Sequence, residues 1–514
     1  MTLRIRNTLT RALEAVEPMD GGRLRMYSCG PTVYRFAHVG NLRTFLLADL
    51  IRRVALYHGI PVLHVQNITD VGHLRDERFD RGEDRMLVAA GLEHKRTAEI
   101  ADAYEAAFHA DAALLNLLPA HVFPRATEHI PEMVALAEQL VDAGHAYVSD
   151  SGNVYYSVAS YPAYGELSGN TLDALRAGHR GEVEPDKRDA ADFALWKTAG
   201  EGRQLKWTTA RWGEGYPGWH LECSAMALRH LGPRFDVHTG GIDNVFPHHE
   251  DEIAQSAPIV RGPPARIWVH GEFLQVGGRK MAKSAGNIER IADVAARGID
   301  PLAFRALCLT SRYRHKLEYT DESLAAAAAG LASLRSSVGA LGPAPADGPW
   351  AAPPRLVAGT APPRPGRTAE GVAGNGDGTG PELAALTDRA NAPSAPLSPP
   401  GRAYHDRFAA ALDDDLDLPT AVAVVREMLR SDLPADERRW LALDADFVLG
   451  LDLNRGAAPG DDERLPADIA TIVEERAGAR AARDYATSDR LRATLAERGY
   501  EVLDGPRGQT VRRR

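Results

Sequence analysis

The chain has 514 residues, with 60 Lys and Arg against 70 Asp and Glu, a formal net charge of −10 that excludes a surface coating nucleic acid indiscriminately, though not a local basic face. No run of 18 apolar residues occurs, which excludes a membrane-spanning helix, and the N-terminal MTLRIRNTLTRALEAVEP lacks the apolar core of a secretory signal. Three widely spaced cysteines, an odd number, exclude a disulfide framework and point to a cytoplasmic, reducing setting in which a working cysteine binds metal or catalyses.

Strand-like and helix-like stretches alternate from about residue 24 to 280. MYSCGPTVYRFAHVGNLRTFLLADLIRR (26–53) starts as an apolar strand, turns through Cys29, Gly30 and Pro31, and becomes a helix after His38-Val39-Gly40-Asn41. PVLHVQNITD (61–70) reads as a strand, HIPEMVALAEQLVDAGH as a helix stopped by Gly144, and FDVHTGG (235–241) and RIWVHGEFLQV (266–276) as strands. The alternation predicts an α/β fold with a doubly wound parallel sheet covered by helices, Rossmann-like in plan. Residues 341–400 hold 13 prolines and 9 glycines, a composition that predicts a disordered linker. RAYHDRFAAALDDDLDLPTAVAVVREMLR is helical again, and ERGYEVLDGPRGQTVRRR closes the chain as strand-turn-strand.

Three places carry chemistry. A helix N-terminus beyond a strand offers free N–H groups to phosphate; Gly40 would admit a nucleotide to the backbone, and His38 and Asn41 would donate to its oxygens. Taken alone, H-V-G-N is more commonly an ordinary helix cap. In GGRKMAKSAGN (277–287), Lys280 and Lys283 sit three apart in a Gly-flanked loop, suited to clamping phosphates as negative charge accumulates; a solvated basic loop is the plainer reading. Cys223 lies in GWHLECSAM, and FPHHEDEIAQ spaces His248 and Glu252 four apart, on one helical face. Thiolate, imidazole and carboxylate are zinc ligands, although acidic helical faces are commonly only solvated. Cys308, in FRALCLTS, reads as a small core residue.

The His-Gly turn and the K-M-x-K-S loop some 240 residues later resemble the two signatures of class I aminoacyl-tRNA synthetases. YSCGPTVY, HVGNLRTF, QNITDVGHL, PRATEHI, DKRDAADFALWK, GYPGWHLECSAM, GGIDNVFPHHEDEIAQ, WVHGEFL and KMAKSAGN, with the tail ARDYATSDRLRATLAERGYEVLDGP, resemble the cysteinyl-tRNA synthetase family specifically. The resemblance covers nearly the whole chain except 341–400. It implies a catalytic domain over 1–280 with a connective insertion at about 115–210, a lysine-loop and stem-contact region over 281–340, a helical anticodon-binding bundle over 401–455 and a small tRNA-binding module over 465–514.

What the resemblance implies for chemistry is specific. Cys29, Cys223, His248 and Glu252 would hold one Zn²⁺ per chain, which would select the substrate thiolate, with Trp219 as a wall of the pocket. L-cysteine and Mg²⁺-bound ATP would give cysteinyl-adenylate, with His38, Gly40 and Asn41 holding phosphates and Lys280 and Lys283 stabilising the charged transition state. The cysteinyl group would pass to the 3′ end of tRNA(Cys), by a monomer with no editing domain. From Arg476 onward ten arginines face five acids, and Arg512, Arg513 and Arg514 end the chain, a local basic face for tRNA.

Several features depart from the family pattern. Asn41 replaces the signature's final histidine but keeps a donor. Ala282 stands where serine is commoner, LRDERFDRGEDRM (74–86) is long and charged, and 341–400 is an unusual insertion. Two other readings stay open: a ligase that passes activated cysteine to an amino sugar, against which 400–514 argues, and a non-catalytic tRNA-binding paralogue, against which His38, Lys280 and Lys283 argue.

Overall fold

The computed structural model describes residues 2–71, 74–76, 81–84, 96–171, 186–200, 203–280, 289–356, 395–455, 467–481, 484–498, 500–505 and 508–513. They form two compact units, Met1–Leu453 and Asn454–Arg514.

The first unit is organised on four parallel strands: β1 (Leu24–Ser28), β2 (Val62–Gln66), β3 (Phe235–Gly241) and β4 (Ala265–Gly271), in the order β4-β3-β1-β2. Val237 stands beside both Ile267 and Met26, and Met26 beside His64, so the register is continuous across the sheet. β3 is buried over all but its last residue, as a strand covered on both faces must be. The chain leaves β1 for β2 on one side and later returns as β3 on the other. The sheet therefore has its switch point between β1 and β3, where α/β folds place ligands beyond the carboxyl ends of strands.

Helix α1 (Val39–Tyr57) packs its apolar residues on the sheet. Between β2 and β3, in the stretch expected as an insertion and running on to Pro217, lies a five-stranded antiparallel sheet. Its order is Trp207–Thr209, Gly213–Pro217, Phe193–Thr198, Val154–Tyr156, Ala146–Val148. The helix expected before it spans Ile130–Asp142, and Gly144 follows at φ +80°. After β4, Leu274–Val276 turns back antiparallel as Arg279–Lys280. Gly277 and Gly278 make that turn at φ +59° and +71°, two successive left-handed positions that glycine takes without a Cβ penalty.

Two expectations need correction, the first at 266–276: the single strand expected there is two, β4 and Leu274–Val276, in different sheets with Glu272 and Phe273 between them. The stretch 402–430 is helical as expected, in two helices, Pro399–Asp413 and Leu418–Leu429, because Asp415 and Leu416 take positive φ and Asp417 caps the second through the Thr420 amide. A third helix, Ala435–Leu449, completes the bundle. The linker expected over 341–400 is packed at its near end. Leu356 is buried, and its carbonyl accepts from the buried Arg53; Arg439 donates to Leu341, and Arg355 pairs with Asp452. Composition averages over such contacts, and one well-placed leucine is enough to dock a segment. Residues 357–394 lie outside the described residues, as do 77–80 and 85–86 of the charged stretch 74–86.

The second unit has helices Ala467–Ala481 and Tyr485–Glu497 and an antiparallel hairpin, Tyr500–Gly505 with Gly508–Arg513, around Ile469, Leu495 and Val502. Arg512 and Arg513 fall on the last strand, and Arg514 lies outside the described residues.

Candidate active site

Cys29 is the first residue past β1, at the switch point, and its amide donates to the Thr239 carbonyl of β3 at 3.3 Å. The next amide, Gly30, donates to Asn67 Oδ1 at 2.9 Å, and a Cβ there would lie 1.6 Å from the Asn67 carbonyl oxygen, so no side chain fits. Cys223 is buried in helix α2 (Trp219–Leu231). His248 precedes helix α3 (Glu250–Val260), and Glu252 lies in its first turn; both are buried, with His248 Nε2 3.0 Å from Glu252 Oε1. One donor atom from each of Cys29, Cys223, His248 and Glu252 lies within 4.8 Å of the others. The four residues implied for the metal thus converge from three distant parts of the chain.

The donor set suits zinc. Bonds of roughly 2.0–2.3 Å in a tetrahedron separate ligand atoms by roughly 3.3–3.8 Å, so an ion fits after small shifts, His248 Nε2 and Glu252 Oε1 parting slightly from 3.0 Å. Further contacts hold the ligands. His238 Nε2 lies 2.9 Å from Glu252 Oε2, leaving Oε1 to the cluster. His220 Nδ1 lies 2.9 Å from His248 Nδ1, leaving Nε2 to the cluster. His220 Nε2 is 3.4 Å from Asp251 Oδ2, and Asp251 in turn accepts from the Tyr164 hydroxyl. His249 Nε2 sits 3.1 Å from Cys29 Sγ and passes, through His270, to Thr8. Cys29, His238, His249 and Glu252 form an overlapping donor group, but it has one thiol instead of two.

Without an ion, burial pushes the Cys29 thiol up, and the hydrogen bond with Cys29 followed by burial pushes Cys223 well up. Burial opposes charge on His248, yet Cys223 and Glu252 hold its imidazolium well above the ordinary range. Burial likewise works to raise Glu252, but His238 and His248 overcome it and hold the carboxyl down at about 2. Trp219, half-buried at the start of α2, places its ring 4.9 Å from that of His248.

At the head of α1, His38 is the N-cap. Its Nδ1 accepts from the Asn41 amide at 3.3 Å, while its own amide donates to Asn41 Oδ1 at 3.2 Å. The H-V-G-N stretch is therefore a reciprocal cap, with Gly40 half-buried in the first turn. The lysine hairpin ends at Lys280, and Lys283 and Ala282 lie outside the described residues. The chain resumes at Glu289, whose carbonyl accepts from the Val39 amide at 2.9 Å, so the far stem of the lysine loop meets the His-Gly turn. His220, His238, His249 and His270 were not singled out from the sequence; their only signal was histidine recurring in apolar or glycine-flanked stretches.

Residues 15–329 match the family model described as the class I (C) tRNA synthetase catalytic domain, and 462–512 match the cysteinyl-tRNA ligase anticodon binding domain. The cysteine–tRNA ligase of Chlorobium chlorochromatii is 37% identical over 526 residues, covering 99% of this chain and 98% of the relative. The chain belongs to the cysteinyl-tRNA synthetase family. Another member, the cysteine–tRNA ligase of Salinibacter ruber, is 41% identical and covers 100% of this chain and 98% of its own. Among solved structures, Mycobacterium tuberculosis methionyl-tRNA synthetase in complex with methionyl-adenylate aligns with TM-score 0.52 at 14% identity, over 85% of this chain and 90% of that one. The shared architecture is the class I aminoacyl-tRNA synthetase fold. Among the described residues of this cysteinyl-tRNA synthetase family member, no helix is long and apolar enough to cross a membrane.

Proposed function

We propose that the chain is a cysteine–tRNA ligase that activates L-cysteine with Mg²⁺-bound ATP and charges tRNA(Cys). The observation that carries the reading is the convergence of two thiols, an imidazole and a carboxylate at the switch point of a class I sheet. Cys29, Cys223, His248 and Glu252 would hold Zn²⁺, which when bound supplies a soft Lewis acid for the substrate thiolate and so discriminates against serine. A pocket built on a specific bond rejects analogues lacking it by ~10⁴–10⁵, against ~10–200-fold for an apolar one, so the family pattern needs no editing domain.

His238 and His220 hold Glu252 and His248 in the orientation that ligation requires. Trp219 closes the pocket over the side chain of cysteine. His38, Gly40 and Asn41 present the first turn of α1 to the phosphates, and Lys280 and Lys283 neutralise charge that grows as the cysteine carboxylate attacks the α-phosphate and pyrophosphate leaves. No side chain acts as a covalent nucleophile; positioning and electrostatics suffice. The arginine-rich end of the second unit, from Arg476 onward, engages tRNA(Cys), and a reducing cytoplasm keeps the cysteines as thiols.

Cysteine-dependent pyrophosphate exchange, followed by charging of tRNA(Cys), tests the reading. Exchange without charging, but with transfer to an amino sugar, would replace it with a small-molecule ligase; absence of both would leave a tRNA-binding paralogue.

A further inference from the structure

The first turn of α1 is also a clamp. Arg43, three residues past Gly40 and buried, donates from Nη1 to the carbonyls of Glu272 and Phe273 at 2.9 Å each, and from Nη2 to the carbonyl of His315 at 2.6 Å. Glu272 and Phe273 lead into the strand Leu274–Val276, and His315 leads into Leu317–Glu318, which runs parallel to it with Leu274 beside Leu317. One guanidinium therefore fixes the starts of two of the three strands of the small sheet, the third being Arg279–Lys280 itself.

The far stem of the lysine loop is tied to the same place. The Glu289 carbonyl accepts from Val39, and the Glu289 carboxylate pairs with Arg297 at 2.9 Å and accepts from the Tyr319 hydroxyl. Arg290 lies 3.6 Å from the centroid of Phe36, two residues before His38. Both stems thus anchor on residues 36–43, the stretch that forms the phosphate-facing turn. A planar fork can grip carbonyls of two strands at once, which a lysine ammonium on a flexible stem does not reproduce.

We propose that Arg43 is a positioning residue for amino-acid activation, setting where the lysine hairpin stands relative to the His38–Asn41 turn while touching no substrate. The inference rests on the activation chemistry proposed above. Displacement of a catalytic group by about 1 Å costs ~10²-fold in rate, and that is the loss expected in turnover for pyrophosphate exchange with Arg43→Lys in the full chain. KM for cysteine and the bound zinc content should stay within about twofold of the parent, because the zinc ligands lie on other elements. Amide hydrogen exchange over 272–280 and 315–318 should speed up. Turnover within about threefold of the parent, or a rise in KM accompanied by loss of zinc, would overturn the proposal. Arg43→Gln, a planar donor pair of shorter reach, is held to the same outcomes where the lysine variant does not fold. A parent chain with no cysteine-dependent exchange would fail the activation reading, whereas unchanged hydrogen exchange over 272–280 and 315–318 in Arg43→Lys would fail the clamp alone.

Discussion

His220 is not among the four proposed zinc ligands, yet its replacement should weaken metal binding measurably. With Nε2 turned to an ion, His248 must carry its proton on Nδ1, and the acceptor for that proton is His220 Nδ1 at 2.9 Å. His220 is itself buried and backed by Asp251, which accepts from Tyr164, so the geometry is held three links deep. In His220→Ala the His248 N–H loses its partner inside the protein, at a cost of ~1–3 kcal/mol. That range corresponds to the ~10–100-fold loss of affinity typical when the partner of a ligating histidine is removed. Competition against a chromophoric chelator, at fixed pH on the full chain, would read the change directly. Tyr164→Phe, two links further out, should give a smaller loss, and Cys223→Ala should abolish tight binding. If His220→Ala bound zinc within about twofold of the parent while Cys223→Ala did not bind it, the orientation of His248 would owe nothing to His220.

Zinc uptake should release at least the two thiol protons near pH 7, because Cys29 and Cys223 are both held protonated in the empty site while Glu252 is already ionised. Affinity then rises with pH and falls on acidification; calorimetry in buffers of different ionisation enthalpy would count the protons, and one or none would contradict the assignment. Lys283→Ala should lower turnover for adenylate formation far more than it raises KM for cysteine, and the reverse pattern in steady-state exchange would remove the lysine from its role. Replacing 357–394 by a Gly/Ser linker of adequate reach should leave folding and exchange nearly intact, provided that Arg355 and Leu356 remain to meet Asp452 and Arg53. Loss of exchange in that variant would show that the segment packs against the catalytic unit.

The parallel strands were readable because they are short and apolar, and FDVHTGG matches its observed limits, whereas the apolar run 266–276 hid the break at Glu272 and Phe273. The His248–Glu252 pair was readable from a spacing of four. Cys29 and Cys223 were not, since nothing periodic relates a residue after β1 to one inside α2; only family resemblance joined them. The four further histidines escaped for a different reason. A buried histidine looks the same in sequence whether it orients a ligand or fills a core, and only contacts such as His238 Nε2 on Glu252 and His220 Nδ1 on His248 separate the two. The break at Asp414–Asp417 escaped because its aspartates are tolerated in a helix until tertiary contacts, here the Arg6 amide and Tyr313 hydroxyl on Asp415, draw them out.

That the site is gathered from both sides of a long insertion has a consequence for biosynthesis. Cys29 emerges from the ribosome roughly 220 residues before Glu252, and at ~5–20 residues per second that interval is about 10–45 s. Through it β1 has one edge unfilled, since β3, its eventual neighbour, does not yet exist. The first thiol must wait, reduced and without its partners, until the antiparallel insertion has been made and α2 and α3 have followed. Translation speed across 30–250, and the thiol-oxidising capacity of the surroundings during that interval, therefore bear on the yield of metal-loaded chain as directly as any mutation in the pocket.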